Sequence, residues 1–175
     1  MSERPERSSA GGPPPLRPFG LVLRHDGRFL HEGVPILNAR LRRHFERSVA
    51  YLPEEGKFIV RLRHFRAEVE VEEAGFFVRQ VDLPSGEITL SDGSREPLDV
   101  SSLQESPIDG ALLCRVKREA VTEGLLARFD HGAQAELLQA VSPAGPSAEE
   151  GFVLSIGNER VPLPDLGGES GAGLD

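Results

Sequence analysis

Apolar and polar residues alternate in short runs through most of the chain, and only two segments change to helical spacing. Residues 21–25 and 28–31 flank Asp26-Gly27, a two-residue hairpin signal in which both turn positions would take φ > 0. That register pairs Leu23 with Leu30 beside Leu21, and puts Val22, Arg24, Phe29 and His31 on the opposite face. Gly33 and Pro35 then turn the chain. Asn38 is a good N-cap, and Leu41, Phe45, Ser48 and Val49 follow at helical spacing, with Arg40, Arg43 and Arg47 on another side. Pro53 and Gly56 end this element.

Residues 57–71 predict strands with a change of phase. Phe58, Val60 and Leu62 are apolar at even positions, then Phe65, Ala67, Val69 and Val71 at odd ones. A strand cannot exchange its buried face without a break, so a bulge or turn is expected near Arg63-His64. Another strand begins at Phe76-Phe77-Val78.

The second half repeats this grammar. Residues 87–90 and 95–100 flank Asp92-Gly93, and residues 111–116 and 121–129 read as strands. Asp130 caps a helix whose Gln134, Leu137, Leu138 and Val141 share a face, and prolines at 143 and 146 stop it. A last hairpin turns at Gly157-Asn158. The stretch from Ile88 to Leu98 resembles that from Phe152 to Leu163, and Phe29 to Ile36 is a shorter echo with the same returning proline. Duplication and convergent hairpin grammar explain these echoes about equally well.

The expected fold is therefore α+β, mostly antiparallel strands and hairpins in two small similar units, each with one short helix. The expected division is an N-terminal arm over 1–17, a first unit over 18–83, a second over 84–166 and a Gly-rich tail over 167–175. Arm and tail carry too little apolar surface to form a core and read as disordered.

Composition narrows the function classes. A hydrophobic content of 38% and a charged content of 27% suit an ordinary soluble domain. The net charge of −8 argues against a dedicated nucleic-acid binder. No apolar run reaches the ~18 residues of a membrane span, and no apolar region after the N-terminal charges suggests a signal peptide. Cys114 is the single cysteine, which excludes an intrachain disulfide and a multi-cysteine metal site. A cytoplasmic location fits these features best.

Candidate chemistry is sparse. The five histidines have no metal-ligand spacing, and His31-Glu32 lacks the second histidine of a helical zinc motif. Cys114 lies in an apolar strand without a partner base. Ser91 and Ser155 lack a nucleophile-elbow context. Glu68, Glu70 and Glu72 read as the polar side of a half-buried strand. Neither a metal nor a cofactor is expected.

Charge placement is more informative. Between Asn38 and Arg66 stand eight basic residues (Arg40, Arg42, Arg43, Arg47, Lys57, Arg61, Arg63, Arg66) against three glutamates; between Glu68 and Glu105 stand ten acidic residues against Arg79 and Arg95. The blocks could pair across strands, or the basic one could dock an anionic partner.

The order of features resembles a bacterial family catalogued as domain of unknown function 1285. The carrying residues are Asp26-Gly27, the stretch from His31 to Ile36, the helix through Phe45, and Gly56 to Val60. Glu68 to Phe76, Glu96 to Val100 and Leu126 to Phe129 continue it, so the resemblance spans roughly residues 20–165. The chain departs from the family pattern at residues 61–66, where a proline-containing turn is usual, and at Gly75, where a proline usually precedes the phenylalanine. The resemblance implies two similar α+β units and suggests a regulatory or signalling role; it carries no catalytic residue. The leading expectation is a non-enzymatic binding or regulatory module. Its partner would be an acidic protein or a phosphorylated small ligand, met by Arg40, Arg43, Arg47, Arg61 and Arg63, with His31 and Glu32 as further site candidates. The competing class is an enzyme acting on a small anionic substrate near His31, Glu32, Arg61 and Arg63.

Overall fold

The computed structural model describes Pro13 and residues 15–166; the tail and residues 1–12 and 14 of the expected arm lie outside the described residues. The first six strands are β1 (Leu16–Leu23), β2 (Phe29–His31), β3 (Val34–Pro35), β4 (Val49–Leu52), β5 (Lys57–Arg61) and β6 (Arg66–Val71), hydrogen-bonded in the order β3-β2-β1-β6-β5-β4. The next six are β7 (Phe76–Asp82), β8 (Glu87–Leu90), β9 (Arg95–Pro97), β10 (Gln104–Glu105), β11 (Leu112–Val116) and β12 (Leu125–Phe129), in the order β9-β8-β7-β12-β11-β10. Adding six to each strand number of the first sheet reproduces the second. Both sheets are antiparallel apart from one central parallel pair, β1 with β6 and β7 with β12. A small third sheet holds β13 (Val141–Pro143), β14 (Phe152–Ile156) and β15 (Glu159–Pro162).

The shorter echo, Phe29 to Ile36, and the stretch from Ile88 to Leu98 fall on equivalent places, because β2–β3 and β8–β9 are the same hairpin of the two sheets, whereas the stretch from Phe152 to Leu163 forms β14–β15 of the third sheet. The crossing from β3 to β4 is made by helix α1 (Ala39–Ser48), whereas a 3₁₀ turn over Val100–Ser102 joins β9 to β10. Helix α2 (His131–Gln139) follows β12 and packs on β7 and β12. The α+β class with two similar units is thus observed, with little helix. By pairing, however, β7 belongs to the second sheet, so the frame changes between Val71 and Phe76 rather than at residue 83. Strand β1 also begins at Leu16, inside the expected arm, because β6 offers it backbone partners at Arg66 and Ala67.

The first hairpin differs from expectation by one residue of register. Leu23 pairs with Phe29 and Val22 with Leu30. Only Gly27 has positive φ, at 84°, and its N–H donates to the Arg24 carbonyl while the Arg24 N–H donates to Arg28. This is the three-residue loop with a bulged glycine. Asp26 accepts from the Arg28 N–H and so holds its own backbone in a right-handed turn. Asp92-Gly93 repeats the arrangement, with Gly93 at 86° and Asp92 accepting from Ser94. The slip moves Phe29 to the buried face beside Leu21 and Leu23. Gly27→Val should cost about 1–3 kcal/mol, since a β-branched residue is strained at this φ. An unchanged urea midpoint would refute this turn geometry.

One apolar cluster joins the layers: Leu21, Leu23, Phe29, Val60 and Val69 from the first sheet, Phe76, Val78, Ile88, Val116 and Phe129 from the second, Phe45 from α1, and Ala133 and Leu137 from α2. The break expected near Arg63-His64 is present, with β5 ending at Arg61 and β6 starting at Arg66. A Cβ at Gly75 would stand 2.2 Å from the Phe58 ring, which gives a physical reason for glycine where the resembled family carries proline.

Candidate partner-binding site

Asn38 starts α1 as expected, its side-chain oxygen accepting from the Arg40 and Leu41 amides at 3.0 Å. Phe45 turns into the core and Val49, at the helix end, is buried with it. Leu41 does not join that stripe; it is 40% exposed. At 100° per residue, Arg40, Arg43, His44 and Arg47 follow the i, i+3, i+4, i+7 spacing of a single stripe turned away from Phe45. All four are exposed. The one carboxylate of the helix, Glu46, is engaged by Arg79 at 2.9 Å. Among the described residues no carboxylate forms an ion pair with Arg40, Arg43 or Arg47.

The remaining sequence candidates lie apart from this stripe. Arg61 shares a face of β5 with Lys57 and Ile59, opposite Phe58 and Val60, whose side packs toward Phe45. It lines a pocket of about 300 Å³ with Leu52, Ile59, Leu62 and Arg66. Arg63 is in the turn after β5, not on a strand face with Arg61. Arg61 and Arg63 therefore do not join the helix arginines on one face, because strand alternation sends Arg61 to the other side of the sheet. His31 lies on β2, three strand spacings from β5, or about 14 Å. Its ring stacks on Phe19 at 4.5 Å between centroids. Glu32 occupies the turn at φ 50°, its N–H bonded to the Gly20 carbonyl. The acidic strand engages part of the basic block through Lys57–Glu68 at 3.1 Å.

Two charged clusters were not legible in the sequence, since the polar partners of each central cation lie 19 to 55 residues from it. In the first, Arg128 on β12 is 7% exposed and donates to Glu73 at 2.9 Å and to Asp109 at 2.5 Å. Buried Ser106 donates to the other oxygen of Glu73. Every charge in this cluster is answered within it. The hydrogen bond from Arg128, opposed by desolvation, holds the Asp109 carboxyl down to about 2. A depressed carboxyl stabilises the fold above its unfolded value near 3.9 and loses that contribution as pH falls through the folded value. Asp109→Asn should therefore flatten the loss of stability between about pH 4 and 2. Acid titrations of the two proteins with parallel slopes in that window would contradict it.

The second cluster centres on Lys117 at φ 58°. Its N–H donates to Glu96, and its ammonium donates to Asp92 at 2.8 Å and to Ser94 at 2.5 Å, above the Phe76 ring. These bonds bring the β9 edge to the end of β11, so the second sheet is curled and clasped. Burial pulls the Asp92 carboxyl upward, but bonds from Lys117 and Ser94 prevail and keep it below the ordinary range. A cleft of about 460 Å³ beside the clasp is lined by Arg95, Glu96, Asp99, Arg115, Arg118 and Glu119, among others. Its cations are mostly answered internally, Arg95 by Glu87 and Arg118 by Asp99. Cys114 beneath is wholly buried, and burial with nearby Glu96 and Asp99 pushes its thiol up to about 12. That thiol is inert at neutral pH.

These features define an α+β protein of two like six-stranded sheets with an unneutralised basic helix at its surface. No family model matches the chain, and no curated protein matches it. Among solved structures, a DUF1285 family protein from Silicibacter pomeroyi DSS-3 has a TM-score of 0.58 with it, covering 93% of this chain and 89% of that one at 18% identity. A DUF1285 family protein from Shewanella baltica OS155 covers 70% of this chain and 91% of its own, with a TM-score of 0.46 and 12% identity. The first likeness establishes a shared fold: the architecture is DUF1285-like. No helix among the described residues is long and apolar enough to cross a membrane.

Proposed function

We propose that the protein is a non-enzymatic binding module of regulatory type that docks an acidic partner through α1. The observation carrying this reading is the basic stripe Arg40, Arg43 and Arg47, which forms no ion pair with a carboxylate among the described residues in a chain of net charge −8. Acidic residues outnumber basic ones, and Arg24, Arg28, Lys57, Arg79, Arg95, Lys117, Arg118 and Arg128 all have carboxylate partners. Guanidinium groups in a row recognise carboxylates through paired donors. His31, Glu32, Arg61 and Arg63 are not gathered around one cavity, so the enzyme reading has no geometric support. A cytoplasmic location belongs to the proposal, resting on the single cysteine and its burial.

The test is a charge reversal, Arg40→Glu with Arg43→Glu and Arg47→Glu, compared with wild type as bait at low and moderate salt. The partner should be absent from the variant and weaken with salt, because exposed charges reach only ~10 Å at 0.1 M. Equal recovery on both baits at both salts would overturn the reading.

A further inference from the structure

The connection into α1 carries apolar surface as well as charge. Leu37 is 82% exposed and Leu41 40%, and Val34 on edge strand β3 is 66% exposed. A residue in the place of Leu37, just before the N-cap, usually packs on the fourth helical residue. Here that residue is Arg42, so Leu37 has no apolar partner of this kind; the Nε of Arg42 is itself buried without a hydrogen-bond partner. Around the helix, Leu41 falls between the buried Phe45 side and the basic stripe, 100° from Arg40. Exposed Leu37, just before the helix, and Leu41, within it, therefore add apolar surface beside the basic stripe of Arg40, Arg43 and Arg47.

Resting on the proposed docking function, we infer that the occupant is an acidic amphipathic helix of a partner protein. Its carboxylates meet the arginine stripe, and a leucine-type ridge covers Leu37 and Leu41. Charge complementarity selects the acidic face. The apolar surface selects a protein segment over a purely charged polymer, since a nucleic acid or polyanion leaves Leu37 and Leu41 in water. The body's net charge of −8 also repels an extended anionic surface such as a membrane, whereas one helix confines its charge within a Debye length of the stripe.

The experiment uses the full chain and fluorescent synthetic peptides of about 20 residues, long enough to hold helix. The first carries glutamates at i, i+3, i+4 and i+7 beside a leucine ridge. The second replaces the leucines by alanine, and the third is oligoglutamate. Wild type should bind the first at least roughly tenfold tighter than the others. Leu37→Ser with Leu41→Ser, both exposed sites, should fold normally and lose that preference while keeping residual charge binding. Equal affinity for all three peptides, or an unaffected double variant, overturns the inference and leaves electrostatic docking standing. Binding to anionic vesicles but to no peptide overturns it in favour of a membrane surface. A salt-sensitive dimer abolished by the arginine reversal overturns it in favour of a second copy. Binding to none of these probes removes both the inference and the docking function beneath it.

Discussion

Arg128→Ala is expected to lower stability by about 3–5 kcal/mol, the range for removing one partner of a buried ion pair. The guanidinium lies where β12 meets the loop after β6 and the loop after β10, and its removal strands Glu73, whose side chain is only 6% exposed. Ser106 loses part of its polar surroundings at the same time. Replacing the pair together, Arg128→Met with Glu73→Leu, should recover much of the loss, because no buried charge is then left unanswered. Urea unfolding of both variants measures this. A single variant within about 0.5 kcal/mol of wild type would mean that water enters the cluster and replaces the arginine.

Phe45→Ala should cost a comparable amount, about 3–5 kcal/mol, by opening a cavity under α1. The ring is 4% exposed and meets Phe29 nearly edge-on, 5.6 Å between centroids. Arg43→Ala, on the solvent side, should change stability by less than about 0.5 kcal/mol. The contrast tests the helix orientation on which the basic stripe depends. Equal losses in the two variants would mean a rotated helix, and the stripe would no longer face solvent.

Local signals along the chain determined much of the architecture. Asn38 and Asp130 marked both helix starts, because a side-chain acceptor at that point satisfies free amides. The parity change after Leu62 located the break before β6, and the echo between Phe29–Ile36 and Ile88–Leu98 marked equivalent hairpins of the two sheets. Arg40, Arg43 and Arg47 were legible as a stripe because helical spacing is a property of one short segment.

Tertiary structure decided what depends on distant partners. An Asp-Gly pair serves two loop lengths, and only the hydrogen bonds around Gly27 and Gly93 select the bulged form that buries Phe29. Leu41 and Leu138 have core-like spacing, yet neither is covered by the sheets. The assignment of β7 to the second sheet follows from parallel pairing with β12, some 50 residues later, which alternation within β7 cannot encode. The same holds for Arg128, Glu73, Asp109 and Ser106, and for the Lys117 clasp: each residue is unremarkable in its own segment. A charge becomes structural or free only through what the fold brings against it. For this reason the arginines of α1 could be listed from the chain, while their lack of carboxylate partners could be seen only in three dimensions.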